Sequence, residues 1–283
     1  MLLFSFLVAG SFSFGKIVAA DIDPIALTAA RFALASVLLA TVLAMTGRLH
    51  KAHYRQPQRF FVLGGLFAIY FVLMFQALRL TSSLSTSVIF TTMPLVAAAL
   101  DRAFFKRASP ALVWVALLIG ATGAMWVVFE GSWEAFTSFS IGYGELLFFI
   151  GTLSHAAYAV LVPRLRRGEP VFATTLGVTV AAALLLWICF WPRISGADWT
   201  GLGAYIWATL NYLAVLATLG TFALITFAAS RLPSAKVTAY TYLTPFWVVM
   251  LDSLLGQEMP SGVMLLGGVP IFFALLLLFV EKS

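Results

Sequence analysis

The chain has 283 residues, of which 62% are hydrophobic and 10% charged, with a net charge of +6. A soluble domain carries about 25% charged residues, so this composition excludes a globule with a water-covered surface and makes the bilayer the plausible solvent. The basic residues sit in short turns between apolar spans and not on one stripe, which argues against nucleic acid. The single Cys189 excludes an intramolecular disulfide.

A crossing helix needs about 20 apolar residues. In chain order the candidate spans are 2–20, 26–46, 59–79, 83–100, 110–129, 142–162, 172–191, 204–228, 236–254 and 261–280. The chain opens on Met1-Leu2-Leu3-Phe4 without a basic leader, so the first span reads as retained. Pro24, Pro57, Pro110, Pro170, Pro192, Pro233 and Pro260 fall in or beside the turns, where proline starts or ends a helix at little cost.

The turns alternate in charge. Arg48, Lys51, Arg55 and Arg59 lie in the turn after span 2. Arg102, Lys106 and Arg107 follow span 4; Arg164, Arg166 and Arg167 follow span 6; Arg231 and Lys236 follow span 8. The remaining turns hold Asp21, Asp23, Glu130, Glu134, Asp198 and Glu258, with only Arg79 and Arg193 as cations. The positive-inside rule puts the basic turns and both termini in the cytoplasm.

The spans read as two sets of five. Ala77-Leu78-Arg79-Leu80-Thr81-Ser82-Ser83 is echoed by Ala229-Ser230-Arg231-Leu232-Pro233-Ser234-Ala235. Thr92-Met93-Pro94-Leu95 is echoed by Leu243-Thr244-Pro245-Phe246, and Asp101 by Asp252. An odd number of spans per copy sets the copies upside down relative to each other, a recurring build of secondary transporters. The expected architecture is an all-α membrane protein of ten transmembrane helices in two inverted five-helix repeats, 1–129 and 142–280.

The same landmarks carry a family resemblance. The run from Ala77 to Pro94 resembles the EamA domain of the drug/metabolite transporter superfamily. The run from Arg231 through Tyr242-Leu243-Thr244-Pro245 to Gly256-Gln257-Glu258 is similar to a second copy. Ala30-Arg31-Phe32-Ala33-Leu34-Ala35 resembles the family's second helix, and Gly10-Ser11 and Lys16 its first. The chain departs from the family at Ala9 and His155, where Trp is usual, and at Phe105-Lys106-Arg107, which lacks the Gly-Glu ending. The resemblance implies a secondary transporter with a central cavity lined mainly by helices 1–4 and 6–9, moving small polar or amphipathic metabolites. Export of amino acids or their relatives across a bacterial inner membrane is the implied task.

Polar residues within spans are costly unless they face water or a partner. Those at mid-depth are the substrate candidates: Ser11, Ser13, Thr92, His155, Tyr158, Tyr240 and Tyr242, joined by Gln76 and Asn211 nearer the outer face. His155 is the one histidine in a span, and Tyr158 shares its helix face. Its imidazole suits substrate contact or proton transfer, and equally a bond holding two helices together. Tyr70 and Phe90 are deep enough to line a cavity. Lys16, Arg31 and Glu145 are candidates for coupling or gating. Lys16 and Glu145 also suit snorkelling to the interface, while Arg31 suits a two-pronged grip on a carboxylate or a structural role. Pro94 and Pro245 are mid-span and read as hinges. Asp101 reads as a solvated helix end. Gly120-Ala121-Thr122-Gly123-Ala124 permits close helix contact, within the monomer or in a homodimer.

No GxxxxGK[ST], HExxH or paired Cys/His ligand pattern occurs, so neither ATP hydrolysis nor a bound metal or cofactor is expected. The expected partners are a small solute and the lipid bilayer. An intramembrane enzyme using His155, and a non-transporting membrane subunit, are the alternative readings.

Overall fold

The computed structural model describes residues 1–106, 110–129, 131–137, 141–229, 240–257 and 261–280. The Arg231-to-Lys236 turn, Arg107, Glu130 and Glu258 lie outside the described residues. The helices in chain order are α1 (Leu2–Val18), α2 (Pro24–Met45), α3 (Gln58–Leu78), α4 (Ser83–Phe90), α5 (Met93–Phe105), α6 (Ala111–Val128), α7 (Trp133–Thr137), α8 (Tyr143–Leu165) and α9 (Val171–Ser195). After them come α10 (Ala204–Asn211), a π-helical stretch (Tyr212–Gly220), α11 (Thr221–Ala229), a 3-10 turn (Tyr240–Leu243), α12 (Thr244–Leu254), α13 (Gly262–Leu265) and α14 (Gly268–Val280).

Among the described residues, seven helical stretches are long and apolar enough to cross a bilayer: α2, α3, α4 with α5, α6, α8, α9, and Ala204–Ile225. Leu2–Val18 and Gly262–Leu278 are shorter apolar helices. Their outward faces carry Val37, Leu184, Ile188, Phe272 and Phe273, all exposed, as a surface solvated by acyl chains requires. Helix starts follow local chemistry. Asp23 caps α2 through Ile25 N (2.8 Å) and Ala26 N (3.2 Å), with Pro24 behind it. Ser82 caps α4 by accepting from Ser85 N at 3.0 Å.

Pro94 and Pro245 are not buried in continuous helices. Each sits in the first turn of a new helix, α5 and α12. A proline there lacks only an amide that would be unpaired anyway. Around the first break, Thr91 Oγ1 donates to Val88 O (2.6 Å) and Thr92 Oγ1 to Ile89 O (2.7 Å). Both carbonyls also accept the backbone amides of Thr91 and Thr92 (2.9 and 3.0 Å), so the hydroxyls are satisfied within their own helix.

The helices pair across the two halves of the chain: α2 with α9, α3 with α8 and α9, α6 with α14, α1 with α12, α4 with α12, and α5 with α8. Gly123 allows the α6–α14 contact, since a Cβ there would collide with the Gly267 carbonyl oxygen. Gly120 faces Tyr242 and Ala274 in the same way. The small-residue run of α6 is therefore used inside the chain.

Ion pairs collect turns of like character at each end. Arg59 Nη1 meets Glu169 Oε1 at 2.8 Å and Arg164 Nη2 meets Asp101 Oδ1 at 2.6 Å, both among the basic turns. Arg193 pairs with Asp23 among the acidic turns. Asp101 is thus paired instead of simply solvated, and Arg164 also lies over the Phe105 ring at 3.6 Å.

The Arg59–Glu169 pair is buried, and Arg59 further donates to Leu165 O and His53 O. Burial pushes the Glu169 carboxyl up, but its own amide, the Arg167 amide and the Arg59 guanidinium outweigh that and hold it below the ordinary 4.5. Removing one partner strands the other charge, so Arg59→Ala is expected to cost about 3–5 kcal/mol, read as a lower melting temperature in detergent. Because the folded value is depressed, the stabilisation is complete above the unfolded carboxyl's range and fades as pH drops through the folded value. Glu169→Gln should remove that acid-side slope.

Candidate functional site

A cavity of about 300 Å³ lies between the halves. Its wall combines Phe4, Val8, Ser11 and Phe12 of α1, Arg31 of α2, and Phe67, Tyr70 and Phe71 of α3. Phe90, Met93, His155, Tyr158, Ala159 and Val162 continue it, and Ala217, Thr221, Phe222, Ile225 and Thr241 close it. The lining runs from Arg31 and Phe71 to Phe4, Val162 and Ile225, which sit toward the basic-turn ends of their helices. Among the described residues the lining holds no Asp or Glu.

Arg31 is fully buried. Its Nε donates to Thr218 Oγ1 at 2.9 Å and its Nη2 to Ala217 O at 3.4 Å. The guanidinium carbon lies 3.8 Å from the Phe71 ring centroid. Nη1 has no hydrogen-bond partner. The acceptors exist because Tyr212–Gly220 is π-helical. Thr218 Oγ1 donates five residues back to Leu213 O (2.8 Å) and so presents lone pairs to Arg31. Thr221 Oγ1 shares the Ala217 carbonyl at 3.0 Å. Such wide turns often mark functional sites. A buried cation with a free N–H and no ion-pair partner among the described residues has the chemistry to take a carboxylate.

His155 is enclosed by rings: Tyr70 at 4.3 Å between centroids, Phe90 at 5.7 Å, Tyr158 at 5.8 Å and Phe67 at 5.9 Å. Its Nδ1 is buried without a partner. Tyr158 stacks on Phe67 at 4.7 Å. The cavity thus offers flat apolar faces with a guanidinium and an imidazole set into them.

Ser11, Arg31, His155 and Tyr158 come together in this wall, with Tyr70 and Phe90. The other candidates stand elsewhere. Asn211 is exposed and donates to Trp207 O in its own helix at 2.9 Å. Thr92 and Glu145 border an apolar groove beside α6. Tyr242 and Pro245 border another groove, with Val127 and Met264. Tyr240 begins the 3-10 turn, and Gln76 is half-buried near the end of α3. Ser13, Lys16 and Glu145 gather at the acidic-turn end. Lys16 Nζ donates to Leu78 O (2.8 Å) and Thr81 O (2.9 Å), and Glu145 accepts from Thr81 and Ser85.

The sequence profile of the EamA-like transporter family matches residues 1–129 and again 142–280. The chain belongs to the EamA-like transporter family. It is therefore an integral membrane protein and a transporter, which binds small molecules and sits in a lipid bilayer. It is similar to the uncharacterized transporter YyaM of Bacillus subtilis, 22% identical over 90% of this chain and 85% of that one. An uncharacterized transporter of Archaeoglobus fulgidus is 26% identical over 92% of this chain and 89% of its own. A protein of known crystal structure shares the fold at TM-score 0.70 and 18% identity, over 98% of this chain and 94% of its own.

Sequence reasoning missed Phe67, Phe71 and Phe222, since one phenylalanine among 26 looks like another. It also missed Thr218 and Thr221, whose spacing around Gly220 was the available signal. Thr218→Val removes the acceptor for Arg31 Nε and is expected to cost about 1–3 kcal/mol. Melting in detergent reads it, with Thr218→Ser close to the parent.

Proposed function

We propose that this EamA-family chain is a secondary transporter that carries a small solute bearing a carboxylate and a flat or aliphatic body, such as an amino acid or a relative of one. The observation that carries this reading is the buried Arg31, with Nη1 unpaired in an aromatic cavity beside His155. The volume lies at the low end of ligand pockets, roughly 300–1,000 Å³, which favours a metabolite over a large drug. Ring faces of Tyr70 and Phe67 suit an amine or a planar group, and His155 Nδ1 suits a polar contact.

The chain works as ten helices in two inverted repeats, 1–129 and 142–280. Helix pairing supports this. Exchanging the halves turns the contact of α3 with α8 into that of α1 with the α10–α11 stretch. It turns α1–α12 into α8 with α4 and α5, and returns α2–α9, α4–α12 and α6–α14 to themselves. Transport is alternating access by rocking of the halves, with the breaks before Pro94 and Pro245 as flex points. With the basic turns cytoplasmic, the cavity lies toward the inside and the acidic-turn end is shut. Both termini are then cytoplasmic in a bacterial inner membrane, and export is the expected direction. A catalytic reading of His155 has no carboxylate in the described wall to work with.

The test is counterflow in proteoliposomes with a panel of amino acids, other carboxylates and uncharged analogues. Arg31→Gln should lower uptake of the carboxylate solute by 10-fold or more and spare discrimination among the bodies. His155→Ala should raise KM for the same solute with folded protein retained. If no panel member moves faster than in empty vesicles, or if uncharged analogues compete as well as carboxylates, the assignment fails.

A further inference from the structure

The shut end of the bundle contains a carboxyl group that the solute site does not use. Asp252, on the last turn of α12, is buried at 6% exposure. Its Oδ2 accepts from Ser83 Oγ of α4. Its Oδ1 has no hydrogen-bond partner. Ser13 of α1, fully buried and with its own hydroxyl unpartnered, faces the same carboxyl. The charged groups around it are Lys16 of α1, within electrostatic reach, and Glu145 of α8 across the α3–α4 turn. Lys16 is held by backbone carbonyls of that turn and makes no direct ion pair with Asp252.

A buried carboxylate without a direct ion pair is costly as an anion, and the Ser13 hydroxyl can donate to Oδ1 when it is ionised or accept from it when it is protonated, so the site can hold either state. We propose that the Asp252 carboxyl, between the hydroxyls of Ser83 and Ser13, is a proton-binding site at the shut end of the bundle. The proton adds to Oδ1, and the new O–H is donated to Ser13 Oγ. On release that O–H bond breaks, the electron pair stays on the carboxylate, and the proton leaves to water at the acidic-turn end. The charge change is mechanical as well as chemical. Ionised Asp252 attracts the Lys16 ammonium and draws α1 toward α12 and α4. Protonation cancels that attraction and loosens the seal. Loading from the acidic-turn side thus favours opening there, so acidity on that side biases the carrier toward the form open to it. This last step rests on the transporter reading above, whereas proton binding does not.

The experiment needs no solute. The full chain in lipid is cycled between about pH 5 and pH 9, and the infrared difference spectrum is read in the carboxylic-acid carbonyl region. The expected result is a protonated-carboxyl band in the parent that is absent from Asp252→Asn and present in Glu145→Gln. Ser13→Ala and Ser83→Ala should keep the band but shift its frequency, because each removes a hydrogen-bond partner. Those two variants also decide the matter if Asp252→Asn does not fold. No titrating band, a band that survives Asp252→Asn, or a band insensitive to both serine variants overturns the proposal. Counterflow can succeed while this test fails, and the reverse, so the two readings fall separately.

Discussion

Within hydrocarbon a backbone amide or carbonyl without a partner costs several kcal/mol, and the architecture of this chain depends on meeting that demand wherever a helix is irregular. At the break before Pro94 the amides and hydroxyls of Thr91 and Thr92 both turn back onto the carbonyls of Val88 and Ile89. The wide turn at Tyr212–Gly220 is closed by Thr218, Thr221 and the Arg31 guanidinium. At the end of α3, Lys16 from a different helix takes the carbonyls of Leu78 and Thr81. At the wide turn and at the end of α3 a side chain from another helix meets the irregular backbone, and these places border the cavity and the acidic-turn end.

Arg31 shows how one side chain serves both needs. Its Nε and Nη2 satisfy an oxygen and a carbonyl of the wide turn, and the Phe71 face covers the guanidinium. That leaves Nη1 as the group with spare capacity. A guanidinium held on one side is pre-ordered on the other, so a carboxylate arriving there meets a donor whose geometry is already set. The apolar wall around it would strengthen such a contact by keeping water out.

The two ends of the bundle are built differently. At the basic-turn end, Arg59–Glu169 and Arg164–Asp101 tie loops to each other and leave the cavity lining free. At the acidic-turn end, α1, α8 and α12 all bring polar side chains to the short stretch between α3 and α4. One stretch therefore holds helices from both halves of the chain.

Much of the layout was legible from the chain alone. Apolar runs mark the helices, because hydrocarbon thickness and backbone satisfaction leave them little choice, and the family profile matches the chain twice. Ser11, Arg31, His155 and Tyr158 stood out in the sequence because a polar group in a span needs a reason to be there, and they line one cavity. The sequence could not separate them from Asn211, which bonds within its own helix, or from Thr92 and Gln76, since depth along a span says nothing about which face a residue presents. Nor could it single out Phe67 and Phe71 among so many phenylalanines. Ser13 with Lys16, Glu145 and Asp252 come from three distant segments of the chain, and only packing brings them to one turn. The sequence by itself determined the membrane as solvent and the polarity of each turn, both sums over local composition. Tertiary structure alone decided which buried donors are left unpaired, because that depends on every neighbour a side chain meets.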